Sequence, residues 1–143
     1  PRNLVDVGYG VSQILPLLVD LLRDQGRRLY LLQQPEVHLH PRAQAELGSL
    51  FARLAGKGAQ HSQLIVETHS DHLVDRVRMA IRDGVIAADE VALLFFHRSG
   101  ANAKIHRIEL DENGTVIDPP EHYREFFLAE ERRYFGLNDV HHS

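Results

Sequence analysis

Leu29-Tyr30-Leu31-Leu32-Gln33-Gln34-Pro35-Glu36-Val37-His38-Leu39-His40-Pro41 changes character in its middle. Four apolar residues in a row suit a strand of a parallel sheet covered on both faces, because a strand with one wet face would alternate. The run then gives way at once to two amides, a proline and a carboxylate, and a second proline closes the segment. An ordinary loop can look like this. In open α/β sheets, however, ligands gather at the carboxyl ends of the strands, where these polar side chains fall.

The flanking sequence supplies the rest of such a fold. Ala43, Leu47, Leu50, Phe51 and Leu54 recur at helical spacing and predict a helix over Arg42–Leu54, closed by Gly56 and Gly58. Gln63–Val66 reads as a second short buried strand that delivers Glu67, Thr68, His69, Ser70 and Asp71 at its carboxyl end. A third helix follows with Leu73, Val74, Val77, Ala80 and Ile81 on its apolar face, Ser70 or Asp71 as its cap and Gly84 as its stop. Upstream, Gly8-Tyr9-Gly10 breaks the chain before a helix over Val11–Arg23, in which Pro16 is tolerable only within the first turn. Val91–Phe96 and Lys104–Leu110 are further strands, the second ending in the turn sequence Asp111-Glu112-Asn113-Gly114. After Pro119-Pro120, residues 121 to 134 read as a charged helix carrying Tyr123, Phe126, Phe127 and Tyr134.

This alternation predicts an α/β fold, a mostly parallel sheet with flanking helices. It divides into a motif-bearing core over residues 1–82, a strand pair over 83–118 and a terminal helix over 119–143. The chain has 143 residues, of which 43% are apolar, enough for a packed core. A net charge of -4 offers no overall attraction to nucleic acid or an anionic membrane, so a nucleic-acid partner lacks support from charge. The absence of cysteine excludes disulfides and thiolate metal sites and fits a reducing, cytoplasmic compartment. Val11–Leu22, the longest apolar stretch, is interrupted by Ser12, Gln13, Pro16 and Asp20 and is too short to span a bilayer. No signal peptide is evident at the start, and Pro1 in place of an initiator methionine suggests a fragment.

Three clusters carry chemistry. Gly8, Gly10, Ser12 and Gln13 stand at a predicted helix start, where free N–H groups and the helix dipole favour a phosphate oxygen. Gln33, Gln34 and Glu36 stand where a strand end would hold a magnesium ligand and a water-polarising group beside a nucleotide phosphate. His69, again at a strand end, presents an imidazole toward the place of a γ-phosphate.

In this order the clusters resemble the second half of ABC-type ATPase heads, of the cytosolic kind related to the overcoming-lysogenization-defect nucleases and to RecF and SMC proteins. Leu29–Pro41 is similar to the Walker B strand and D-loop, in the Pro-Glu-x-His-Leu-His-Pro form, and Ile65–Ser70 to the strand and switch histidine. Val7–Leu18 resembles the signature segment that meets the γ-phosphate held by an opposing head. The resemblance covers about residues 4 to 82. It implies ATP and Mg2+ as ligands, Gln33, Gln34, Glu36 and His69 as the catalytic set, and Gly8, Gly10, Ser12, Gln13 and His38 as nucleotide contacts. It also implies a homodimer closed around nucleotide, a role in DNA repair or anti-phage defence, and an effector nuclease or partner protein.

The sequence departs from that family twice. It contains no Gly-x-x-x-x-Gly-Lys-Ser/Thr loop, so the phosphate cradle must come from an upstream half or another chain. Gln33 stands where the family has an acidic residue that holds the metal. An amide oxygen binds metal weakly and cannot act as a base, so hydrolysis is expected to be reduced by nature or by design. A rival reading takes His38, His40, His69 and His72, among ten histidines, as ligands of a hydrolytic metal centre. It lacks a contiguous His-x-His-x-Asp-His element. A non-catalytic dimerisation module is a third.

Overall fold

A computed structural model describes residues 9–23, 28–56, 62–100, 102–120 and 123. The elements run α1 (Tyr9–Leu22), β1 (Leu29–Gln33), α2 (Pro41–Ala55), β2 (Gln63–Glu67), α3 (Asp71–Arg82), a short 3-10 turn (Ala88–Glu90), β3 (Leu93–Ser99), β4 (Asn102–Leu110) and β5 (Val116–Ile117). Two compact units result: Pro1–Val91 with Leu110–Thr115, and Ala92–Glu109 with Val116–Ser143.

In the first unit β1 and β2 pair in parallel from Leu29↔Gln63 to Gln33↔Glu67. Alternate side chains take opposite faces of a strand. Tyr30, Leu32, Leu64 and Val66 lie on one face and join Leu21 of α1, Leu47 and Phe51 of α2 and Leu73 of α3 in a single core. Leu29, Leu31 and Ile65 lie on the other and are 58%, 71% and 62% exposed. Among the described residues the strand expected to be buried on both faces is covered on one, because all three helices contribute to the same core.

Local chemistry sets the helix ends. His40 caps α2, its Nδ1 accepting from the Arg42 N–H at 3.4 Å, and Pro41 takes the first helical position, where no N–H is needed. Ser70 caps α3, its hydroxyl accepting from the Leu73 N–H at 3.1 Å, and Gly84 ends the helix region at φ +71. Pro16, expected within the first turn, instead lies inside α1, which begins at Tyr9. The packing of Ile14, Leu17, Leu18 and Leu21 against the core holds the helix through a residue that weakens it. Asp20 near its end pairs with Arg28 at 3.1 Å, and its carbonyl accepts from the Tyr30 hydroxyl at 3.3 Å, fastening α1 to β1.

Gly48 lets α2 and α3 approach. A Cβ there would sit 2.6 Å from the Leu73 carbonyl oxygen and 3.1 Å from the Arg76 Cβ, and backbone cannot yield as a side-chain tip can. Gly48→Ala is expected to lower stability by about 1–3 kcal/mol, as overpacking of a tight contact does. A denaturant midpoint equal to that of the unmodified chain would show that the helices separate without loss.

A second apolar cluster extends this unit through Ala52, Ala80, Ile81 and Ile86, with Leu110 packed against it. The turn after β4 is drawn to α3 by Arg78, whose Nε donates to the Gly114 carbonyl at 2.8 Å. Within that turn the Asp111 carboxylate accepts from the Thr115 and Asn113 N–H groups at 2.7 and 2.8 Å. The Thr115 bond is the first cause that holds its pKa below the ordinary value, with Asn113 adding to it. The bonds are thus fully available above the usual carboxylate range and are lost as pH falls through the lowered pKa.

The sheet of the second unit corrects the expectation of a mostly parallel sheet. The order is β3-β4-β5, and β3 and β4 are antiparallel from Leu93↔Ile108 to Ser99↔Asn102. Only residues 100 and 101 link them, with Gly100 at φ +63. So short a link permits an antiparallel pair alone, since a parallel one needs a crossover of a dozen residues or more. Phe95 stands opposite His106, with the Tyr123 ring edge-on at 5.6 Å. The rest of the expected terminal helix lies outside the described residues.

Candidate functional site at the strand ends

The parallel register places Gln33 and Glu67 side by side as the last residues of their strands. The chain then turns, and the Gln34 N–H donates to the Glu67 carbonyl at 2.8 Å, extending the ladder by one bond. The Gln34 side-chain amide also donates, through Nε2, to Glu67 Oε1 at 3.3 Å. Gln34 and His38 both adopt left-handed backbone, at φ +43 and +70. Neither is glycine, and such conformations persist only where the surroundings enforce them.

Between them Glu36 ties this loop to the one after β2. It is 5% exposed, and its Oε1 accepts from the Thr68 hydroxyl at 2.6 Å and from the His69 N–H at 2.9 Å. Thr68 Oγ1 in turn accepts from the Ser70 N–H at 3.0 Å. The Ser70 hydroxyl donates to Gln44 Oε1 at 2.6 Å, and Gln44 Nε2 donates to the Leu39 carbonyl at 2.9 Å. The circuit joins the loop after β1, the loop after β2 and the first turns of α2. Glu36, expected to offer a carboxylate to a reacting group, is buried and spends one oxygen on the frame. Oε2 is buried with no hydrogen-bond partner among the described residues.

His69 is exposed just beyond β2, with its backbone rather than its ring fixed by Glu36. His38 is exposed in the loop, while Gly10 of α1 abuts its backbone. A Cβ at Gly10 would collide with the His38 carbonyl oxygen, so the start of α1 seats against the loop because that residue has no side chain. Ser12 and Gln13 follow on exposed positions of α1. Gly8 lies outside the described residues. Gln33, Gln34 and His69 are therefore brought to one end of the parallel pair, with Gly10 against the adjoining loop.

Glu67 opens the strand-end cluster of the sequence without a role of its own there, and Gln44 stands outside every cluster. The signal for Glu67 was its place as last residue of a strand matching β1, whereas Gln44 becomes visible only when α2 folds back onto the loop after β2. Among the described residues no group of three or more His, Asp or Glu side chains is placed to hold a metal ion, which leaves the histidine metal centre without a ligand set. Magnesium beside a nucleotide needs less: one or two carboxylates, with phosphate and water completing its shell. The strand ends carry one carboxylate, Glu67, and two neutral amide oxygens, those of Gln33 and Gln34.

Residues 1–75 match the family model described as "AAA domain, putative AbiEii toxin, Type IV TA system". The chain belongs to this family. The matched span contains α1, β1, α2 and β2, hence every element that builds the strand-end site. No curated protein and no solved structure matches the chain. Among the described residues of this AAA-family chain, no helix is long and apolar enough to cross a membrane.

Proposed function

We propose that the chain is the signature, Walker B and switch-histidine part of an ABC-type ATPase head, an ATP-driven switch in which two heads close around nucleotide. The observation that carries this reading is the register of β1 and β2. It sets Gln33, which this reading takes as the Walker B position, beside the strand that leads to His69, and the Glu36 circuit holds the two following loops in one arrangement. Hydrolysis would reset the dimer.

In this scheme the loop of one head that cradles the phosphates, which the 143 residues do not contain, holds ATP, and the Gly8–Gln13 segment of the opposing head closes over it. The apolar face of Leu29, Leu31 and Ile65 supports a phosphate-binding half that covers the sheet from its open side. Magnesium, when bound with the nucleotide, would offset phosphate charge. The chain's own residues have simpler tasks. Gln33 and Gln34 orient the polar end of the nucleotide through amide groups, neither of which can take a proton. His69 donates a hydrogen bond to the terminal phosphate. Glu36 holds the loop that presents His69.

The reading is tested on the intact protein by ATP affinity, phosphate release and sedimentation with ATP and with ADP. Low-micromolar ATP binding and dimers that form with ATP and separate with ADP are expected. Residues 1–143 alone should bind ATP far more weakly, because no backbone cradle for the phosphates is present in that sequence. Dimers indifferent to nucleotide would favour a plain dimerisation module, and low-micromolar ATP binding by residues 1–143 would defeat the assignment of parts.

A further inference from the structure

We propose that Glu67 supplies the negative charge that Gln33 lacks, so that the acidic group serving the nucleotide's divalent cation is carried by β2 instead of β1. The inference rests on the ATPase reading and concerns one residue within it. Gln33 and Glu67 are register partners at the ends of adjacent parallel strands, whose backbones run about 4.8 Å apart. Both are exposed, on the same face as Leu31 and Ile65, so a charge on one lies a single strand from a charge on the other.

Two features of Glu67 suit it to the task. Its main chain is fixed by the ladder and by the bond from the Gln34 N–H. Its side chain is steered by the Gln34 amide, which donates to Oε1 at 3.3 Å and leaves most of the carboxylate's acceptor capacity unspent. Gln34 is thereby given a positioning role that its side chain, lacking charge, can perform. Glu36 is the competing source of charge, and its geometry argues against it. It is buried beneath the loop with its Oε1 committed to Thr68 and His69 and only its buried Oε2 unspent, whereas the Glu67 carboxylate is exposed at the strand end.

Moving a carboxylate one strand sideways preserves the charge of the site while changing the atom that carries it. A charge swap between the two positions therefore distinguishes a relocated acid from a missing one. The intact protein is titrated with Mn2+ in the presence of a non-hydrolysable ATP analogue, with bound Mn2+ followed by electron paramagnetic resonance. Analogue binding without metal and thermal unfolding are measured alongside. Glu67→Gln is expected to weaken Mn2+ binding about tenfold or more, the usual scale for loss of a group that serves a metal, with metal-free analogue binding retained or tighter, since a negative charge beside the phosphates is removed, and with unfolding unchanged. Gln33→Glu combined with Glu67→Gln should recover most of the loss.

Mn2+ affinity indifferent to Glu67→Gln, in protein that still binds the analogue, would overturn the proposal and leave the ATPase reading standing. So would failure of the double variant to recover affinity while Gln33→Glu alone raises it. An intact protein that binds no analogue at all would overturn both.

Discussion

Glu36→Ala is expected to lower the stability of the protein by about 2–4 kcal/mol and to loosen residues 34–40 and 67–70 together. A fully buried donor left without an acceptor costs about 1–3 kcal/mol, and the substitution strands two part-buried ones, the Thr68 hydroxyl and the His69 N–H, each toward the lower end of that range. Part of that cost is returned, because Glu36 Oε2 is itself buried without a partner among the described residues and its desolvation ends with the side chain. Glu36→Gln keeps one oxygen able to accept both bonds and should cost only about 1 kcal/mol, the difference between a charged and a neutral acceptor. Chemical denaturation gives the energies, and amide hydrogen exchange shows whether the two loops open as a unit. Unchanged stability in the alanine variant would mean that the circuit contributes nothing to the frame.

His69→Ala carries the largest expected effect on activity. In the intact protein ATP turnover should fall about a hundredfold or more, the scale on which removal of one hydrogen-bond donor to developing charge acts. Folding should be nearly unaffected, since the residue is exposed and the Glu36 bond reaches its backbone N–H, which alanine retains. Phosphate release and a thermal unfolding curve, measured on the same samples, separate the two effects. Turnover equal to that of the unmodified protein, or soluble protein lost without a selective drop in rate, would remove His69 from the chemistry.

The elements around the site were legible because they depend on short-range patterns. Leu29–Leu32 and Gln63–Val66 are apolar runs of strand length, and Ala43 to Leu54 repeats at helical spacing between prolines and glycines. Ser70 and Gly84 announced the two ends of α3 by their chemistry. Pro16 misled because intrinsic propensity argued for a first-turn position, while the side chains packed around it decided otherwise. The pairing of β3 with β4 was a question of connection rather than pattern. An apolar run fits either direction, and the two-residue link at 100–101 excluded one of them.

Legibility of the site ended where function depends on register and closure. The polar residues at the strand ends were visible as residue types, but that Glu67 faces Gln33 is a property of the paired strands. The role of Glu36 was hidden for a related reason. Its partners, Thr68 and His69, lie more than thirty positions along the chain, and a buried carboxylate in a loop looks the same in sequence as an exposed one.

The order of elements has a kinetic consequence. β1, α2, β2 and α3 follow one another without interruption, and the contacts that make the site, β1 with β2 and α2 with α3, join near neighbours in that series. Each docking step closes a loop no longer than one crossover, and closure entropy grows only slowly with loop length. During synthesis the strand ends and the Glu36 circuit can assemble once the chain through Arg82 has left the ribosome, before β3 and β4 have emerged from it.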